Sequence, residues 1–105
     1  MASSKSLLEF VLEQLSVVEG ISHRAMMGEY LLYCRGRLFG GIYDDRLMVK
    51  PVSAALRLLP DAEHEPPYDG AKPMLRVDCV DQRELLAELI EAMYPQLPEP
   101  KQKKK

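Results

Sequence analysis

The strongest constraint in the chain is the stretch from Arg24 to Lys50, RAMMGEYLLYCRGRLFGGIYDDRLMVK, where apolar and polar residues alternate with a period of two between short turn signals. From Glu29 onward, Tyr30, Leu32 and Cys34 fall on one face and Leu31, Tyr33 and Arg35 on the other, as in a half-buried strand. Arg35-Gly36 predicts a tight turn into a second strand, Leu38 to Tyr43, because glycine tolerates the positive φ that such a turn needs. Asp44-Asp45 predicts another turn, into Arg46 to Lys50, since aspartate side chains hydrogen-bond local backbone. A three-stranded antiparallel meander follows. Gly40-Gly41 inside its middle strand implies a bulge or the close approach of another element, with close helix packing the preferred cause.

The flanks read as helices. Leu7, Leu8, Val11, Leu12, Leu15 and Val18 recur at helical spacing, which predicts an amphipathic helix from Ser4 to Val18, capped by Ser6 with Glu9 and stopped at Gly20. Ser53 is expected to cap a short helix from Ala54 to Leu59 that Pro60 ends. The Pro-rich, charged stretch from Asp61 to Pro73 reads as a surface loop, and Met74 to Val80 alternates again as a further strand. Asp81 with Glu84 then opens a C-terminal helix carrying Leu85, Leu86, Leu89, Ile90 and Met93 on one face.

The elements add up to an α+β two-layer sandwich: an antiparallel sheet of about four strands (the meander plus one), N- and C-terminal helices and a short middle helix. Residues 1–95 form the single domain and 96–105 a disordered Pro/Lys tail. Helices on one side leave a sheet face uncovered. A partner, or a second copy in a homodimer, is expected on that face or at the helix edge, and the candidate contact residues are Arg24, Tyr30, Tyr33, Arg35, Arg37 and Tyr43.

Charge narrows the function. Four of the 14 basic residues are Lys101, Lys103, Lys104 and Lys105, which leaves 10 basic against 16 acidic residues before them. A body with that balance lacks the cationic stripe of a duplex reader, so no direct DNA binding is expected. Within Arg24 to Lys50 the balance reverses: Arg24, Arg35, Arg37, Arg46 and Lys50 stand against Glu29, Asp44 and Asp45, a mildly basic island suited to an acidic patch on a partner. Glu9 and Glu13 interrupt the N-terminal apolar stripe and no window approaches the roughly 20 apolar residues of a membrane span, so a soluble, cytoplasmic protein is expected. Cys34 and Cys79 read as buried free thiols, although a disulfide stays open.

No constellation of catalytic chemistry stands out. His23 and His64 lack ligand spacing to either cysteine, a Cys34–His23 pair has no visible oxyanion donor or orienting group, and Asp44-Asp45 suits a turn better than a carboxylate pair. The expectation is a non-enzymatic chain without catalytic residues, cofactor or metal.

The block Arg24, Met26, Met27, Gly28, Glu29, Tyr30, with Leu32-Tyr33, Leu38-Phe39-Gly40-Gly41-Ile42 and Asp44-Asp45 after it, resembles the N-terminal domain of the TfoX/Sxy family of bacterial competence regulators. Phe10 to Leu15 fits as well, and the resemblance runs over roughly Phe10 to Met93. It implies a stand-alone, single-domain member that modulates transcription through a protein partner, such as a transcription activator or a polymerase subunit. It offers no catalytic residues, so the matched Arg24, Met26, Gly28, Tyr30, Gly40 and Asp45 are expected to be structural. The alternative is a small acidic chaperone or adaptor for a client protein, by analogy of fold alone.

Overall fold

A computed structural model describes residues 5–98. Helix α1 (Lys5–Gln14) runs into a 3₁₀ turn (Leu15–Val17), and four strands then follow almost without interruption: β1 (Ile21–Met26), β2 (Glu29–Cys34), β3 (Arg37–Tyr43) and β4 (Arg46–Val49). Helix α2 (Ser53–Leu58), strands β5 (His64–Glu65) and β6 (Met74–Arg76), helix α3 (Arg83–Met93) and a 3₁₀ turn (Tyr94–Gln96) complete the order. The sheet is antiparallel, ordered β1-β2-β3-β4-β6-β5.

Three two-residue turns build the meander. Met27-Gly28, Arg35-Gly36 and Asp44-Asp45 all have positive φ at both positions, so each hairpin carries the backbone twist that suits right-twisted strands. The second and third are the turns expected from the sequence. The first joins β2 to a strand, β1, that alternation does not reveal, because five of its six residues are exposed and only Ile21 is half-buried. β5 is likewise new, a two-residue pairing inside the expected 61–73 loop. The sheet therefore has six strands rather than about four.

One face packs on the helices. Leu32, Cys34, Phe39, Ile42, Leu47, Val49 and Leu75 from the strands meet Leu8, Val11 and Leu15 of the N-terminal helical segment, Ala54 and Ala55 of α2, and Leu86, Leu89, Ile90 and Met93 of α3. Burying each of the Val, Leu, Ile, Phe and Met side chains among them contributes roughly 1.5–3 kcal/mol, set against the entropy of ordering the chain. Gln14 is buried among them and is satisfied by donating from Nε2 to the Val80 carbonyl at 2.9 Å.

The paired glycines have a different cause from helix packing. A Cβ on Gly40 would overlap the Met48 carbonyl oxygen and sit 2.8 Å from the Val49 Cα, while one on Gly41 would sit 2.5 Å from the Tyr30 carbonyl oxygen. The neighbours that exclude a side chain are the adjoining strands. Pairing also shifts here, with Leu32 opposite Gly40 and Tyr33 opposite Leu38, so that Phe39 bulges out of the β2–β3 ladder. The Phe39 carbonyl is then free to accept from the Lys50 N–H at 2.9 Å.

The helix ends also differ from expectation. Ser6 lies inside α1, Ser53 inside α2, and α3 begins after Gln82, with no side-chain cap at α2 or α3 from the residue at the N-cap position. Gln96 and Leu97 are not tail-like: Leu97 is 4 % exposed in the core, and Gln96 reaches back to α2. Residues 99–105 of the expected tail lie outside the described residues.

Candidate interaction surface on the outer sheet face

Cross-strand partners share a face, so Arg24 with Leu31, Tyr33 with Leu38, Gly41 with Met48, Tyr43 with Arg46 and Met48 with Arg76 define the side of the sheet away from the helices. Its two halves differ. On the β1–β2 side Arg24 and Met26 are exposed and Leu31 and Tyr33 half-buried. Over β3 and β4 the centre is covered: Met48 is fully buried and Tyr43 is 8 % exposed. The cover is the segment between β5 and β6, where Pro67 is buried and the Tyr68 ring lies 6.3 Å from that of Tyr43. The helix-free face is thus only partly open.

An ionic network fastens this cover. Glu65 accepts from Arg46 at 2.5 Å and from Arg76 at 2.7 Å, Arg46 donates onward to the Pro67 carbonyl at 3.2 Å, and Arg76 pairs with Asp78 at 2.9 Å. Each Glu65 oxygen serves one guanidinium, so the carboxylate bridges β4 and β6 from the edge strand. Burial pushes the Tyr43 hydroxyl pKa up, with Tyr68, Glu29 and Tyr33 adding to the shift.

Between the 66–73 segment and the ends of β3 and β4 lies an open groove of about 550 Å³. Leu38, Tyr43 and Met74 contribute apolar surface, Tyr68 stands beside them 65 % exposed, and Lys50 and Lys72 also line the groove. Sequence reasoning did not single out Tyr68, Lys72 or Met74. The only signal was an aromatic between prolines and an Asp-Gly turn pair.

The six candidate residues do not form one patch. Arg24, Tyr33 and Tyr43 share the outer face, but Tyr43 lies beneath the loop. Tyr30 is on the helix side, half-buried against the core and edge-on to His23 at 6.4 Å. Arg35 and Arg37 are drawn to the C-terminal end of α3: their guanidinium carbons lie 4.7 and 4.5 Å from the centroid of the Tyr94 ring. Arg35 pairs with Glu91 at 3.2 Å and Arg37 donates to the Tyr94 and Leu97 carbonyls. Two charged residues of the basic island are thereby engaged in holding the meander to α3.

Cys34 and Cys79 are free thiols, the first buried and the second half-buried, and burial raises both pKa values. Cys34 Sγ donates to the Glu19 carbonyl at 3.8 Å and accepts from Arg35 at 3.4 Å, whereas the His23 ring contact is with Tyr30. Among the described residues, no group of three or more His, Cys, Asp or Glu side chains is placed to hold a metal ion, and no helix is long and apolar enough to cross a membrane.

A helical segment, an antiparallel meander and a closing helix on one sheet face define a small α+β domain of helix–sheet–helix type. The model of the TfoX N-terminal domain matches residues 13–97, and the chain belongs to that family. It is 30% identical over 105 residues, 99% of this chain and 91% of the relative, to the "uncharacterized 12.7 kDa protein in trpE 5'region" of Spirochaeta aurantia. No solved structure matches the chain significantly.

Proposed function

We propose that this domain is a non-enzymatic protein-interaction module of the cytoplasm that modulates transcription by contacting a protein partner, a transcription activator or a polymerase subunit. The family membership carries this reading, given the resemblance to competence regulators. Charge favours a protein over DNA as the contact, because residues 5–98 hold 10 basic and 15 acidic side chains and several of the arginines are paired internally. The test is crosslinked affinity capture with the full chain in its native host, followed by binding of each purified candidate. Enrichment of an activator or polymerase subunit that also binds directly would uphold the reading. Recovery of one unrelated client, held only in its unfolded form, would replace it with a chaperone role.

A further inference from the structure

We propose that the groove beside Tyr68 binds a short peptide segment of a partner protein, one that carries an apolar or aromatic anchor flanked by carboxylates. This deepens the function proposed above and rests on it. The anchor is implied by the surface: Leu38, Tyr43 and Met74 offer apolar area, and the exposed Tyr68 ring supplies one wall. Tyrosine is among the residue types enriched at protein–protein contacts and among those that lose most binding energy when truncated.

The carboxylates are implied by charge. Arg46 and Arg76 are both paired with acids, yet Lys50 and Lys72 line the groove and neither has an ion pair among the described residues. Two uncompensated ammonium groups beside apolar surface, on a body with an acidic excess, favour an occupant that is itself acidic and disfavour a basic one. The openness of the groove favours a peptide over a small metabolite, since sites for small ligands bury most of the ligand surface.

The experiment uses the full chain, isotopically labelled, and a panel of fluorescent heptapeptides with a central Phe, Trp or Leu flanked by glutamates, each matched by a version flanked by lysines. Binding is read by anisotropy and located by amide chemical shifts. At least one acidic peptide should bind, moving the amides of Leu38, Lys50, Tyr68 and Lys72, with affinity that falls as salt rises. The double variant K50E/K72E should weaken it at least about tenfold, as removal of two charge contacts implies, and Tyr68→Ala should do so without loss of the folded spectrum. Equal binding of the lysine-flanked peptides, shifts confined to another surface, or no binding across the panel would overturn the proposal. If a transcription partner is captured and K50E/K72E binds it as well as the unaltered chain does, the groove assignment fails while the interaction function stands.

Discussion

The side-chain oxygen of Gln96 accepts a hydrogen bond from the backbone N–H of Ala54 at 2.7 Å, so a residue in the final turn caps the first turn of α2. Val52 occupies the local N-cap position and has no side chain able to do this. Gln96→Ala should therefore destabilise the protein by about 1 kcal/mol, the usual cost of losing a cap. Denaturant unfolding with an unchanged m-value would measure it, and a loss below about 0.3 kcal/mol would mean that solvent replaces the cap at little cost.

Met27 offers a gain. It sits at φ 53° in the first hairpin turn and is 97 % exposed, so it pays the left-handed backbone penalty with no packing in return. Met27→Asn creates the favoured Asn-Gly pair and should stabilise by about 0.5–1 kcal/mol, seen as a higher melting temperature.

Gly40→Ala should be among the most damaging single changes in the chain. The new methyl group would overlap the Met48 carbonyl, and with backbone on that side no side-chain rotation relieves it. A loss of more than about 3 kcal/mol, or failure to fold, is expected in thermal unfolding.

Glu65→Gln keeps the shape but removes the charge that Arg46 and Arg76 share. All three side chains are between 25% and 34% exposed, so the effect is reduced by solvent to about 1 kcal/mol. Amide exchange should accelerate in residues 64–74 well before the core is affected. Uniform acceleration across the sheet would argue that the network supports the whole fold.

Alkaline pH should weaken the fold. Burial raises the pKa of Cys34, Cys79 and Tyr43 in the folded state, whereas the unfolded chain ionises these groups at their ordinary values. Their contribution is fully present below the unfolded pKa values, from about 8.5 for thiols to about 10 for tyrosine, and is lost as pH rises through the folded ones. Stability measured by denaturant from pH 8 upward should fall, and Tyr43→Phe should flatten the upper part of that decline.

The sequence made β2 legible because Leu32 and Cys34 are buried against the helices while Leu31 and Tyr33 lie on the outer side, whereas β3 and β4, buried on both faces, were marked chiefly by the turns that flank them. It hid β1, whose residues are exposed on both faces and so carry no period, and β5, whose two residues are fixed by pairing with β6 rather than by propensity. The direction in which Arg35 and Arg37 reach was equally hidden. Their partner is Tyr94, and no local pattern encodes a contact between residues so far apart. The groove was missed for the same reason: Lys50 follows β4 while Lys72 lies in the 66–73 segment, which Arg46 ties down at the Pro67 carbonyl.

The run of two-residue hairpins sets an order of assembly. Strands β1 to β4 are joined by the shortest connections that antiparallel pairing permits, so their ladder can form with little loop-closure entropy as soon as residue 49 has left the ribosome. Helix α2, by contrast, follows at once in sequence and has to wait for Gln96 before its first turn is closed. Folding that begins at the meander and finishes at the C-terminal turn would make Gln96 substitutions speed unfolding and leave the refolding rate nearly unchanged, a partition that stopped-flow kinetics on Gln96→Ala can read directly.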